Sequence, residues 1–342
     1  MDTPRVPPEL ILAILARLDR PELFALRAAN KTFHGLVTPM AFHQVTVSDA
    51  LVSAERFTAL QSTRELAVHV QSVVFRGRSE HGPVDDPRLT CVSQAMEGLS
   101  KLPNLASLKF EFHDIWDEDV WSFADEPAYW LMLQRAVLEA ISNTSRLPKL
   151  KSLTLNNLIT MPGAIFASEA FVAFLRPLET LSIATLGNGA SSAEPIVEFW
   201  KQLSRVLAAA QLKSVSTLRI LSDHLIGVNP EFILPKSPIP RLTSLHLKSI
   251  CSQNDGVERF ILRHPGLRSL TLEDCSMFIE DDQYVRPWAV VFASLDAGLE
   301  SLVQVDVDSG TLRYRDRYAD YVELDGSADR RALREWEVKL QG

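Results

Sequence analysis

Leu267-Arg268-Ser269-Leu270-Thr271-Leu272-Glu273-Asp274-Cys275 sets an apolar residue, two of any kind, an apolar residue, one of any kind and an apolar residue. That alternation is the mark of a short strand with one face buried. It recurs at Val70/Val73/Phe75, Leu105/Leu108/Phe110, Leu150/Leu153/Leu155, Leu178/Leu181/Ile183, Val215/Leu218/Ile220 and Leu242/Leu245/Leu247. A weaker version follows Leu299/Leu302 at Val305 and Val307. Successive starts are 35, 45, 28, 37, 27, 25 and 32 residues apart. Helical patterns fill several intervals: Leu131–Leu147, Ala164–Leu175, Ile196–Leu212, Val257–Leu262 and Tyr284–Leu295. Their apolar residues fall three and four apart, as one helix face requires.

A strand–turn–helix–turn unit that repeats along a chain stacks into a parallel sheet on one face and helices on the other. The strand signature resembles that of leucine-rich repeats, whose units run 20–29 residues, so the longer intervals here carry insertions. The resemblance covers roughly residues 66–310. It implies that Cys275, at the cysteine position of the repeat, turns inward as core. Eight βα units would also suit a closed barrel, but the strand spacing is uneven and the strand interiors are polar. The expected fold class is α/β: a short N-terminal helical module over 1–48, an irregular leucine-rich-repeat-like solenoid over 49–310, and a C-terminal cap over 311–342. The tail balances seven acids with seven bases and ends in an amphipathic pattern of Leu333, Trp336 and Leu340; solenoids need such an end cap.

Strand side chains alternate, so the residues between the apolar positions line the open sheet face. They read Ser107/Lys109/Glu111, Ser152/Thr154/Asn156, Thr180/Ser182/Ala184, Thr217/Arg219/Leu221, Ser244/His246/Lys248 and Ser269/Thr271/Glu273. The first member is always Ser or Thr and reads as structural. The others vary in charge, as a polypeptide-reading surface does, which makes Lys109, Glu111, Asn156, Arg219, His246, Lys248 and Glu273 candidate target contacts. The longest interval holds a second candidate. Glu111, Asp114, Asp117, Glu118, Asp119, Asp125 and Glu126 stand among Phe112, Trp116, Trp121, Phe123, Tyr129 and Trp130, with no Lys or Arg in residues 111–126. Carboxylates steer a Lys/Arg-rich partner and aromatic faces hold its cations, so Trp116, Asp117, Glu118 and Asp119 join the candidates and the target is expected to be basic. The competing account has the tryptophans stapling the loop onto the helical layer.

The first forty residues pose a different problem. Residues 9–18, Glu-Leu-Ile-Leu-Ala-Ile-Leu-Ala-Arg-Leu, form a helix apolar nearly all round, which must be buried on more than one face. Pro7 and Pro8 suit its first turn. Asp19 and Glu22 have capping-box spacing ahead of Leu23, Phe24 and Leu26. Asn30 is placed to cap a third helix with Phe33, Leu36 and Val37, expected to stop at Pro39. Three short helices seldom make an adequate core alone. Val6-Pro7-Pro8-Glu9, the Ile/Leu-rich helix, Glu22-Leu23, and Lys31-Thr32-Phe33 with Leu36-Val37 together resemble an F-box, over about residues 5–45. The pattern departs at Val6, where Leu is usual, and at Ala28-Ala29. The resemblance implies binding to a Skp-type adaptor, and through it a cullin-RING ubiquitin ligase. The apolar residues implied in that contact are Pro7, Leu10, Ile11, Ile14, Leu15, Leu18, Leu26 and Phe33, some of which must instead be internal to the module.

Composition narrows the rest. The formal net charge is −8 and no basic stripe appears, which argues against nucleic acid. No apolar run approaches a bilayer span. Three widely spaced cysteines, Cys91, Cys251 and Cys275, offer neither a disulfide framework nor metal-ligand pairs, and with no signal-like start they point to the cytosol or nucleus. No metal, cofactor or enzymatic activity is expected, since Walker, GxSxG, HExxH, CxxC and GxGxxG motifs are missing. Gly187-Asn188-Gly189-Ala190-Ser191-Ser192 reads as a surface turn, His113 with Asp114, Asp117 and Asp119 as a solvated acidic loop, and Asp223-His224 as a pair without an assignable nucleophile. Two readings remain: the substrate receptor of an SCF-type ligase, and a non-catalytic repeat scaffold whose first helices serve as a cap or in a non-degradative adaptor complex.

Overall fold

A computed structural model describes residues 7–29, 31–77, 86–114, 128–144, 147–187, 194–228, 230–252, 255–279, 287–307, 313–316 and 327–341. The chain opens with α1 (Pro8–Leu15), α2 (Arg20–Ala29) and α3 (Lys31–Phe42). There follow β1 (Gln44–Ser48), α4 (Leu51–Ser62), α5 (Arg64–Ala67), β2 (Ser72–Arg76), α6 (Pro87–Glu97), β3 (Ser107–Glu111), α7 (Tyr129–Asn143), β4 (Ser152–Ile159), α8 (Glu169–Leu175), β5 (Thr180–Leu186), α9 (Glu194–Ala210) and β6 (Thr217–Ile226). The last part holds β7 (Ser244–Ser252), α10 (Gly256–Leu262), β8 (Ser269–Glu273), β9 (Ser276–Ile279), α11 (Trp288–Gly298), β10 (Gln304–Val307), β11 (Arg313–Asp316) and α12 (Ser327–Gln341). None of the helices among the described residues is long and apolar enough to cross a membrane.

The main sheet runs β1-β2-β3-β4-β5-β6-β7-β8-β10, in chain order, and its pairs are parallel. It is open: among the described residues β1 and β10 are its two ends and do not pair with each other, so no barrel closes. A small parallel pair, β9 with β11, joins the side of β7. The sheet also begins one strand before the repeated pattern does. β1 buries Val45 and Val47 and pairs with β2, so residues 44–48 belong to the sheet.

Register turns the sequence pattern into continuous rows. Val73, Leu108, Leu153, Leu181, Leu218, Leu245, Leu270 and Val305 are successive cross-strand partners, and so are Phe75, Phe110, Leu155, Ile183, Ile220, Leu247, Leu272 and Val307. All but Val305 are buried, and the two rows form one core with the inward faces of the helices. On α9 that face is Ile196, Phe199, Trp200, Leu203, Val206, Leu207 and Ala210, the three-and-four spacing of an amphipathic helix. Two residues beyond Leu155, Leu247 and Leu272 of the repeated pattern, the chain adopts a left-handed conformation at Asn157 (φ 55°), Ser249 (φ 57°) and Asp274 (φ 51°). Short polar side chains tolerate that region best, and its return at one repeat position shows that these three units bend alike. Cys275 follows the last of these bends, 2% exposed, with Sγ 3.7 Å from the Leu247 carbonyl oxygen. Burial pushes its thiol up to about 12, so it is a core residue.

The N-terminal helices have a core of their own, built on Leu15, Leu23, Val37, Ala41 and Phe42. Leu60 touches both this core and the main one. Asp19 and Glu22 form the reciprocal box their spacing predicts: the Glu22 amide donates to Asp19 Oδ1 at 2.9 Å and the Asp19 amide to Glu22 Oε2 at 2.8 Å. The expected stop at Pro39 is wrong, because α3 continues through it to Phe42. Proline costs one backbone bond there and strains the preceding turn. Continuing the helix buries Ala41 and Phe42 against Leu15 and Leu23, and each large apolar side chain so buried contributes about 1.5–3 kcal/mol. Asn30, expected as the cap of α3, lies outside the described residues.

Candidate functional surfaces

Helix α1 divides its apolar residues between two environments. Leu15 is 2% exposed and internal to the module, while Ile11 and Leu18 pack half-buried beside it. Leu26 and Phe33 are half-buried against the same core. Leu10 and Ile14 are 56% and 59% exposed, and residues four apart share a helix face. Leu12, on the other flank, is 45% exposed, and Pro7 is exposed at the helix start. The residues implied by the resemblance thus separate into a core set and an outward set. Leu12 was missed, since a run apolar at nearly every position does not say which side faces out.

On the sheet, the register gathers the candidate contacts into two clusters. At the N-terminal end Glu111 accepts Arg76 Nε at 2.7 Å and Lys109 Nζ at 2.5 Å. These two cations, the lysine bond foremost, hold the Glu111 carboxyl below its ordinary range. Arg76 was not singled out from sequence, although its strand fits the repeated pattern. In the second cluster Glu273 accepts Lys248 Nζ at 2.5 Å and lies 3.3 Å from His246 Nε2. Lys248 lowers the Glu273 pKa and is itself raised in return. Arg219 Nη2 reaches His246 Nδ1 at 3.1 Å. Burial and then Arg219 push the imidazolium pKa down, against the pull of Glu273. Arg219 is exposed, whereas Arg76, Lys109, Glu111, His246, Lys248 and Glu273 are half-buried. Asn156, next to Glu111 in register, lies between the clusters. Trp116, Asp117, Glu118 and Asp119 lie outside the described residues, as does most of the acidic insertion that carries them. Trp130 and Tyr129 are described, and both are buried in the first turn of α7.

The remaining candidates resolve differently. His224 is buried with both ring nitrogens engaged: Nε2 accepts the Trp200 indole N–H at 3.2 Å, and Nδ1 meets Asp223 Oδ1 at 2.8 Å. An indole can only donate, so Nδ1 carries the proton of the neutral ring. Asp223 also accepts the Gly187 amide at 2.9 Å. The trio pins the end of β5 to β6 and α9, and Ser222 Oγ sits 3.4 Å from the already occupied Nδ1. Gly187 is described, whereas Asn188 to Ser192 are not. His113 is buried and Asp114 exposed, with Asp117 and Asp119 undescribed. Among the described residues no group of three or more His, Cys, Asp or Glu side chains is placed to hold a metal ion.

Compared with known families, residues 4–44 match the F-box domain. That span covers α1, α2 and α3 and ends at the first residue of β1. No curated protein matches the chain.

Proposed function

We propose that this chain is the substrate-recognition subunit of an SCF-type cullin-RING ubiquitin ligase, non-catalytic itself. The F-box match over 4–44 carries the family-level role, since F-box domains bind Skp-type adaptors of such ligases. The observation that supports it here is the outward apolar set Leu10, Leu12 and Ile14, exposed on a module whose own core is already complete. Surface apolar side chains scattered singly need no explanation; three on one eight-residue helix do. With Pro7 at its start, the Leu10/Ile14 flank of α1 is the proposed adaptor contact, Leu12 extends the exposed apolar surface on the opposite flank, and Ile11, Leu18, Leu26 and Phe33 support the helix from beneath. The following units, read as a leucine-rich-repeat-like solenoid over 49–310 preceded by its first strand β1, with an end cap over 311–342, present the target on the open sheet face. Three cysteines too widely spaced for a disulfide framework suit a reducing compartment, cytosol or nucleus.

The test is co-purification of the full chain with adaptor and cullin. Leu10→Glu with Ile14→Glu places charge on the outward set and should abolish capture of both while circular dichroism stays unchanged. Undiminished adaptor binding by that variant would remove the assignment. Adaptor without cullin in the wild-type complex would favour the scaffold reading instead.

A further inference from the structure

The charges of the sheet face pair unevenly. Arg76, Lys109, Arg219 and Lys248 stand among Glu111, Glu273, Asp223 farther along β6 and Asp306 at the β10 edge. Glu111 takes both Arg76 and Lys109, and Glu273 takes Lys248. Arg219 has no carboxylate partner among the described residues, and its one hydrogen bond there is to His246 Nδ1. A guanidinium cannot accept, so that nitrogen is the unprotonated one and Nε2–H points to Glu273. The line Arg219–His246–Glu273–Lys248 therefore holds the guanidinium in place across three strands. Surface pairs of this kind add little stability, about 0–1 kcal/mol each, but they limit the orientations open to Arg219. Thr154, Ser182 and Thr271 occupy the same cross-strand row; Ser182 is buried, and the half-buried Thr154 and Thr271 offer hydroxyl donors on either side.

We infer that Arg219 is the anion-reading position of this face and that the partner is an acidic peptide segment, whose carboxylate or phosphoryl oxygens take the guanidinium as a fork. Two oxygens on one planar group match the geometry of arginine, not lysine. The inference rests on the sheet face being the target surface. It reverses the sign expected from the acidic insertion. That insertion follows β3, three strands from β6 in the sheet order, and Asp117, Glu118 and Asp119 lie outside the described residues. On β6 itself, Asp223 is already engaged by the Gly187 amide and His224.

The experiment uses the full chain in complex with its adaptor and four degenerate dodecapeptide libraries that share one fixed central residue: Glu, phosphoserine, Gln or Lys. The Glu or the phosphoserine library should bind about tenfold more tightly than the Gln library, the worth of one charge-assisted hydrogen bond. Whichever of the two leads identifies the source of the oxygens. Arg219→Gln should erase the preference, Arg219→Lys should keep part of it, and His246→Ala should weaken it by freeing the guanidinium. Preference for the Lys or Gln library, an acidic preference that survives Arg219→Gln, or no binding to any library would each overturn the inference. Adaptor retention is read on the same samples, so a failure of the ligase reading shows there and leaves the library ratios untouched.

Discussion

Asp86 shows how much one side chain does at the start of a helix. It is the N-cap of α6, accepting the Arg88 amide at 2.8 Å, and its second oxygen accepts Arg88 Nε at 2.7 Å. The Arg88 guanidinium in turn lies 4.6 Å from the centroid of the buried Tyr129 ring. Arg88 holds the Asp86 carboxyl below its ordinary range. A carboxylate whose pKa is lower folded than unfolded adds stability above its unfolded value, about 3.9, and loses it as pH falls through the folded value. Asp86→Asn keeps a good N-cap but loses the ion pair, and should therefore cost up to about 1 kcal/mol at pH 7, with the gap from wild type closing as pH drops below about 4. Thermal melts of both proteins at pH 7 and pH 3 measure it, and an equal gap at both pH values would rule out the ion pair as its cause. The cap residue type ahead of Pro87 is readable in sequence, but the tyrosine beneath Arg88, 41 positions on, is not.

Among the elements, local rules held where the partners are close in sequence. The Asp19–Glu22 box spans only four residues, and it forms at the start of α2 as its spacing demands. Asp19→Ala should destabilise the helical module by about 1 kcal/mol and weaken adaptor capture by up to about tenfold, with no change in the unfolding of the repeats. If adaptor affinity and module stability are both unaltered, the box contributes nothing to α2. Pro39 failed as a stop signal for the opposite reason. The residues that outweigh it, Leu15 and Leu23, lie on two other helices. β1 was readable too, as the alternation Val45/Val47, but a two-residue signal next to a helix carries little weight until β2 is seen beside it.

Across the whole molecule, two cores meet through few side chains, Leu60 among them, and the far end of the main core is sealed by α12. There Trp336, 4% exposed, packs against Phe292 at 5.6 Å, and Asp329 Oδ1 accepts the Ala289 amide at the first turn of α11. Trp336→Ala should lower the stability of the repeat region by about 3–5 kcal/mol while the adaptor still binds, because the N-terminal module keeps its own core. Chemical denaturation followed alongside adaptor capture reads both. Simultaneous loss of the two would mean that the chain unfolds as one unit.

The period of the strand pattern and its recurrence in chain order determined, from sequence alone, that parallel βα units would stack. Each strand needs only its neighbour's matching row to bury its apolar side. The apolar excess of residues 10–18 likewise implied a helix needing more than one partner. Only the tertiary structure decided which of those residues face out. It also decided that, among the described residues of the sheet face, Arg219 rather than Lys109 or Lys248 is the cation without a carboxylate partner. Both answers depend on side chains tens of residues away, on other helices and strands, and such distances appear only once register and packing bring the partners together.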